Sequence, residues 1–170
     1  MEKGDIFLGL GTNLGNRVMN INKALERINS LEQVDLLEAS SFYRSEPWGV
    51  KDQPWFLNAA CEIDCRCEPH ELLTLLKQME INMGRDPDAA RWGPRIIDLD
   101  ILLWRDNVVH SDNLVIPHPY LTERLFALMP LLEIDPDLNH PESETPLREY
   151  SEDLKKTKDR PECFPYEQTV

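Results

Sequence analysis

The stretch DIFLGLGTNLGNRVMNINKALERINSL, residues 5–31, changes its hydrophobic period from two to about 3.6 and so predicts a strand followed by a helix. On the strand predicted over residues 5–10, Ile6, Leu8 and Leu10 share one side. Residues 11–16 are turn-rich and contain helix-capping side chains. The helix that follows is marked by apolar residues at three- and four-residue spacing, which are Val18, Ile21, Leu25, Ile28 and Leu31.

The succession of strand and helix recurs further along the chain. The other predicted elements are extended residues 34–46, a strand at 56–66, a helix at 69–84, a strand at 96–104 and a short helix at 122–132. The order β-α-β-β-α-β is typical of a ferredoxin-like α+β sandwich, which is an antiparallel sheet with helices on one face. The opposite face is then open and free to carry a site, and additional C-terminal elements follow.

Composition limits the size and the partners of the protein. The 170-residue chain is long enough for one domain with a sizeable core, which we assign to residues 1–140. Residues 141–170 are acidic and proline-containing, and we expect a tail of the same domain that lies on the surface or is partly disordered. The formal net charge of −13 argues against a nucleic-acid binder. Because no apolar run approaches the roughly 20 residues of a membrane span and no secretory signal begins the chain, we expect a cytoplasmic monomer without a membrane partner.

The run RWGPRIIDLD, residues 91–100, carries the strongest chemical signal. On a strand, Asp98 and Asp100 point to one face and Leu99 to the other. Two carboxylates on one side of an apolar strand suit Mg²⁺, and the arginines of the run suit phosphate oxygens. The Trp-Gly-Pro segment between those arginines suits a mobile lid. The alternative is a solvated strand face on which both aspartates form ordinary salt bridges with those arginines.

A second group of side chains favours a flat ligand. The cysteines form no CxxC pair and no zinc spacing, and the first three share one strand parity, as expected of buried free thiols. If their face is the core, Phe56 and Asn58 lie on the open face, where a ring and an amide suit a heterocycle. Trp48 lies in the adjoining loop, which forms a wall. The alternative for Phe56 is a half-exposed ring at the rim of the sheet.

For the other candidate site residues, an ordinary structural role is an equally simple interpretation. His118 stands between two prolines at a strand end, where a lone histidine is more often structural. Phe126 is expected to face the pocket, while Arg124, two positions earlier, reaches elsewhere. Lys77 and Glu80 are one helical turn apart, and a modest surface ion pair is their simplest role.

The chain resembles the 6-hydroxymethyl-7,8-dihydropterin pyrophosphokinase family over residues 5–136. The motifs that carry the resemblance are LGLGTNLG (8–15), SFYRSEP (41–47), FLN (56–58), RWGPR (91–95) with DLD (98–100), and PHP (117–119). The resemblance implies transfer of the terminal diphosphate of ATP to the pterin hydroxymethyl group, with release of AMP, in folate biosynthesis. Lys77, which stands where some members carry Gln, and the Pro119-Tyr120 pair depart from the family pattern.

The resemblance also implies roles for individual residues. Two Mg²⁺ ions would be held by Asp98 and Asp100, and these aspartates, Arg85 and Arg95 would form the catalytic group. The nucleotide would be contacted by Lys77, Glu80, Arg91, Trp92, Ile101, His118 and Arg124. The pterin would be contacted by Gly11, Ser45, Pro47, Trp48, Phe56, Asn58 and Phe126. Two other functions stay open at this point, another Mg²⁺-dependent phosphoryl or nucleotidyl transferase and a non-catalytic ferredoxin-like module that binds RNA or regulates a partner.

Overall fold

The computed structural model describes residues 6–168, so Asp5, the first residue of the first predicted strand, lies outside the described residues. The strands are β1 (Ile6–Thr12), β2 (Val34–Ala39), β3 (Tyr43–Ser45), β4 (Phe56–Cys65), β5 (Asp98–Trp104), β6 (Val109–His110), β7 (Val115–Ile116) and β8 (Cys163–Pro165). The helices are α1 (Arg17–Asn29), α2 (Pro69–Asn82), α3 (Leu125–Ile134) and α4 (Leu147–Lys156), with a 3-10 turn at Leu121–Glu123.

The main sheet has the strand order β5-β1-β4-β3-β8, and β2 also pairs with β4. Its strand pairs are antiparallel. The predicted extended stretch 34–46 runs along β4 as one strand interrupted near Ser40, whose hydroxyl accepts a hydrogen bond from the Ala60 amide at 2.9 Å. The α+β, ferredoxin-like prediction is therefore confirmed, with β8 added at the edge.

One face of the sheet packs against α1 and α2. Leu8 and Leu57 belong to this core, as do Cys61 and Leu99. The helix α1 begins at Asn16, whose side chain accepts a hydrogen bond from the Met19 amide and so satisfies one of the free amides of the first turn. The parity prediction for the cysteines is consistent with this arrangement, because Cys61 is fully buried on the helix side. All four cysteines are free thiols.

The expectation that the opposite face is open is wrong for one end of the sheet. Phe7, Ala60 and Leu102 form a second core with the helix α3, and Leu147 of α4 joins it. The reason is composition: α3 is apolar around most of its circumference and must be covered on more than one side. The site is left at the other end of this face, where β5 begins.

Within the predicted tail, residues 141–168 are described and are more regular than a surface tail. They contain α4, whose Leu147 is fully buried, and β8, which pairs with β3 through Ser45↔Cys163. A buried leucine and a ladder of backbone hydrogen bonds fix this segment to the domain. Among the described residues, no helix has the length and apolar character needed to span a bilayer.

Candidate active site

Asp98 and Asp100 stand side by side on the face of the sheet away from α1 and α2. In β1 they lie opposite Gly11 and Gly9, while Leu99 between them is fully buried in the helix-side core. A Cβ atom at Gly11 would be 3.3 Å from Asn58 Oδ1, and one at Gly9 would be 3.0 Å from Leu102 Cδ1. The glycines therefore keep the floor of the site flat beside the two carboxylates.

Cations neutralise Asp98 and leave Asp100 less compensated. Arg85 Nη1 is 2.8 Å from Asp98 Oδ1, and Arg95 Nη1 is 3.1 Å from Asp98 Oδ2. Burial favours the neutral acid, but Arg95, Lys77 and Arg85 together hold the pKa of Asp98 below its usual range. Burial and the neighbouring Asp98 raise the pKa of Asp100 to about 6, against the pull of Lys77, whose Nζ is 3.8 Å away. The pKa values of the two carboxylates differ because Arg85 and Arg95 both contact Asp98, whereas Asp100 is paired with the more distant Lys77.

Glu80 lies beneath these groups and is buried, so the simple alternative of a surface ion pair with Lys77 is wrong. Its Oε1 accepts hydrogen bonds from the Leu99 amide at 2.7 Å and from Lys77 Nζ at 3.0 Å. Its Oε2 accepts a hydrogen bond from Arg85 Nη1 at 2.5 Å. One carboxylate thus fixes the start of β5 and aims two cations at the aspartates.

An aromatic compartment adjoins the aspartates, with an empty volume of about 760 Å³. The residues predicted for a flat ligand that line it are Gly11, Ser45, Trp48, Phe56, Asn58 and Phe126. Asn58 is only 4% exposed, and its Nδ2 donates to Ser45 Oγ at 2.8 Å. Phe56 is half-buried, as the rim alternative expects, and its side chain lines the compartment. The compartment therefore presents rings and a fixed amide on neighbouring walls.

Arg124 faces this compartment, which corrects the prediction that it reaches elsewhere. It precedes α3 with an extended backbone, so its side chain does not follow the helical spacing that separates it from Phe126. Its guanidinium carbon lies 4.3 Å from the ring centre of Trp48, 5.0 Å from Tyr120, 5.2 Å from Trp92 and 5.5 Å from Phe126. Burial lowers its pKa, and its Nε and Nη2 are buried with no hydrogen-bond partner among residues 6–168.

A basic groove opens on the other side of the aspartates, with an empty volume of about 1310 Å³. The cations that line it are Lys77, Arg85, Arg91, Arg95 and Arg124. Six residues line both the groove and the aromatic compartment, namely Trp92, Arg95, Asp98, Asp100, His118 and Arg124. The carboxylates therefore lie where a cationic site meets an aromatic one, although the whole chain carries a net charge of −13.

His118 lies at this junction as a neutral side chain. Burial, followed by the charge of Arg124, lowers its pKa to about 4. Its Nδ1 accepts a hydrogen bond from the Tyr120 amide at 3.1 Å, so the neutral ring carries its proton on Nε2. An imidazole in this state is a hydrogen-bond donor without a charge.

The predicted lid segment folds over the junction. Trp92 has a φ of 66°, its ring centre is 5.1 Å from that of Trp48, and its carbonyl accepts a hydrogen bond from Gln53 Nε2 at 2.8 Å. Arg91 stacks on Trp92, with the guanidinium carbon 4.8 Å from the ring centre. The lid is in contact with the wall of the aromatic compartment.

Comparison with known proteins decides the family. Residues 7–136 match the family of 7,8-dihydro-6-hydroxymethylpterin-pyrophosphokinases, HPPK. The chain belongs to this family. It is 40% identical over 145 residues to the 2-amino-4-hydroxy-6-hydroxymethyldihydropteridine pyrophosphokinase of Aquifex aeolicus, which covers 85% of this chain and 89% of that protein. It is 42% identical over 132 residues to the protein of the same name from Methylorubrum extorquens, with 78% and 83% covered.

Among solved structures, the fold matches Plasmodium falciparum HPPK-DHPS with pteroate at a TM-score of 0.70 and 16% identity. The match covers 89% of this chain, which spans 42% of that longer chain. At this identity the similarity shows the HPPK fold alone.

Three of the residues expected to contact ligand in an HPPK domain line neither the aromatic compartment nor the basic groove. Ile101 packs in the helix-side core, because its side chain points to the face opposite Asp100. Pro47 is buried without lining the compartment, and both oxygens of Glu80 are bound by protein groups. Two further residues line the site: Glu46, which the sequence placed only as part of the wall loop 45–49, and Tyr120, which was noted only as a departure from the family pattern. Both stand in loops, where no periodicity indicates the direction of a side chain.

The carboxylate oxygens of the two aspartates fit a Mg²⁺ ion whose remaining coordination positions are filled by other oxygens. Within residues 6–168 no group of three or more His, Cys, Asp or Glu side chains is arranged to hold a metal ion. Two carboxylates on one face suit a hard cation that keeps water and phosphate oxygens in its remaining positions. Each oxygen of Asp98 also contacts an arginine, so Arg85 and Arg95 would share this carboxylate with a bound ion.

Proposed function

We propose that this chain transfers the diphosphate of ATP to the hydroxymethyl group of 6-hydroxymethyl-7,8-dihydropterin, giving the pterin diphosphate and AMP for folate synthesis. The observation that carries the proposal is the position of Asp98 and Asp100, which line both the aromatic compartment and the basic groove. A transfer between two bound substrates requires that the reacting groups meet. The two carboxylates stand where a ring-shaped acceptor and a polyphosphate donor would come together.

The aromatic compartment suits the pterin. Phe56 and Phe126 line it together and offer ring faces for stacking, while Asn58 offers an amide fixed by Ser45. The prior hydrogen bond holds the amide in one orientation, so little freedom is lost when a ligand binds. Gly11 leaves room beside the amide, because a side chain there would meet Asn58.

The basic groove suits the ATP phosphates. Arg85 and Arg95 flank Asp98, and Lys77 is held between Glu80 and the aspartates, so each cation is aimed before the substrate arrives. Arg124 offers buried N–H groups that have no protein partner, which an anion would satisfy. We assign His118 Nε2–H to a hydrogen bond with the nucleotide phosphates.

We assign Asp98 and Asp100 as the residues that hold Mg²⁺, and two ions are expected for a triphosphate. When bound, the metal ions supply neutralisation of the phosphate charge and orientation for in-line attack at the β-phosphorus. Side chains of this protein then bind the phosphates and exclude water. Arg85 and Arg95 exchange part of their contact with Asp98 for phosphate oxygens, and the lid with Trp92 excludes water, which otherwise competes with the pterin hydroxyl.

The test is the identity of the nucleotide product. With ATP, Mg²⁺ and the hydroxymethyldihydropterin, chromatography should detect AMP and pterin diphosphate in equal amounts, with no turnover when EDTA replaces Mg²⁺. ADP as the product would favour the alternative, another Mg²⁺-dependent phosphoryl transferase. Absence of any nucleotide product would instead favour a non-catalytic module.

Matched variants connect the activity to the site. Asp98→Ala should lower kcat on the order of 10³-fold, because it removes a group that acts in the transition state. Asp35→Ala is the control, since Asp35 forms an exposed ion pair with Arg66 on the surface of the sheet. Near-normal turnover by Asp98→Ala would contradict the assignment.

A further inference from the structure

The wall of the aromatic compartment that carries Glu46 and Trp48 follows the short strand β3 directly. It is held at its start by a reciprocal pair of hydrogen bonds to Glu162. The Glu46 amide donates to the Glu162 carbonyl at 2.9 Å, and the Glu162 amide donates to Glu46 Oε2 at 2.8 Å. A side chain that lines the compartment is thus held by a backbone amide more than 100 residues away.

Residues 160–166, here called the C-terminal strap, extend this contact along the edge of the sheet. Its strand β8 pairs with β3, and the Tyr166 amide donates to the Phe42 carbonyl at 2.8 Å. The ring centre of Phe164 is 5.8 Å from that of Trp55. The strap lies outside residues 7–136, the part of the chain that matches the family.

The strap also lines a cavity behind the wall. This cavity has an empty volume of about 480 Å³ and is lined by Arg160, Glu162 and Cys163 of the strap on one side. Trp48 and Phe126 line it from the other side and line the aromatic compartment as well. Trp48 and Phe126 therefore separate this cavity from the aromatic compartment.

We propose that Glu162 is a positioning residue, which sets the wall formed by Glu46 and Trp48 for binding of the pterin. The proposal rests on the proposed function and adds a residue outside the family core to the pterin site. It follows that weakening the strap should loosen the pterin compartment while the basic groove is unchanged, because Lys77 and Arg85 are held by Glu80 and not by the strap.

The backbone amide of Glu162 is tested with a proline. Glu162→Pro removes the N–H that donates to Glu46 Oε2, whereas Glu162→Ala keeps this N–H and removes only an exposed side chain. Loss of one such bond should raise the KM for the pterin roughly two- to tenfold in Glu162→Pro, with the KM for ATP unchanged. Glu162→Ala should behave as the unaltered protein.

A second pair of variants changes Glu46, the acceptor of this hydrogen bond. This pair keeps the test valid if the proline variant does not fold. Glu46→Gln retains an oxygen that accepts the Glu162 amide, and Glu46→Ala does not. Both changes alter a side chain that lines the compartment, so the readout is the difference: the alanine variant should lose more pterin affinity than the glutamine variant. Combined with Glu162→Pro, Glu46→Ala should add little further loss, because both changes remove the same bond.

Two different measurements test the role of the strap and the proposed function, so that failure of one can be told from failure of the other. Turnover by the unaltered chain tests the function. Calorimetric titration with the pterin, in the presence of a non-hydrolysable ATP analogue, tests the strap without turnover. Equal pterin affinity in Glu162→Pro and Glu162→Ala would overturn the positioning role, as would an equal rise in the KM of both substrates, which a general structural loss produces.

Discussion

Asp100 is expected to make the ligand-free protein less stable at neutral pH, so Asp100→Asn should be more stable than the unaltered chain. Burial and the charge of Asp98 raise the pKa of Asp100 to about 6. Against an unfolded value of about 3.9, ionisation in the native site costs up to roughly 3 kcal/mol at pH 8. The side chain is 31% exposed and loses a contact to Lys77 in the variant, so we expect a gain of about 1–2 kcal/mol.

The sign of the pH dependence follows from the raised pKa. The native state binds a proton on Asp100 as the pH falls through about 6, and the unfolded state binds one only near its lower unfolded pKa. The stability associated with Asp100 is therefore fully present below the unfolded pKa and is lost as the pH rises through about 6. The advantage of Asp100→Asn should be largest at pH 8 and should vanish near pH 4.

Thermal unfolding without nucleotide or metal measures this effect, with an expected rise in Tm of roughly 2–8 °C at pH 8. Asp35→Asn is the control, because Asp35 is paired with Arg66 in an exposed ion pair. In the activity assay Asp100→Asn should lose turnover on the order of 10³-fold. A variant that is less stable at pH 8, or whose advantage persists at pH 4, would refute the reasoning.

Three other substitutions test ATP binding, protein stability and closure of the lid separately. Arg124→Met should weaken ATP binding about tenfold or more by calorimetry while leaving Tm nearly unchanged, because two of the arginine N–H groups are buried without a partner. Glu80→Ala should lower the free energy of unfolding in urea by about 3–5 kcal/mol, because it leaves the buried Leu99 amide without an acceptor and removes one of the two carboxylates that bind Arg85; a loss under 1 kcal/mol would contradict this. Trp92→Ala should raise the share of AMP that is formed without pterin diphosphate, since water enters an open lid; an unchanged ratio of the two products would argue against the lid.

The elements of the core were predictable because their signals are local. Alternation and helical spacing indicate β1 and α1, and strand parity indicates that Asp98 and Asp100 face away from Leu99. The motif residues that line the site stand on those elements or beside them. What periodicity cannot indicate is the side-chain direction of a residue that precedes a helix, and for this reason the spacing wrongly directed Arg124 away from the pocket.

The covering of the second face was also beyond a local pattern. The sequence of α3 shows only that the helix is apolar. Which surface it covers depends on where the fold places it against the sheet. The same holds for residues 141–170, whose buried Leu147 and edge strand find their partners only in the folded sheet. Long-range partners decide these positions, because a local pattern specifies only what must be buried and not by what.

The sequence by itself determined the fold class, the family and the paired aspartates, because alternation, helical spacing and short motifs are properties of neighbouring residues. Only the tertiary structure decided that these aspartates stand between an aromatic and a cationic compartment, that Glu80 lies buried beneath them and that Glu162 reaches Glu46. Burial and the unequal sharing of cations then set the different pKa values of Asp98 and Asp100, and both arise from groups distant in sequence.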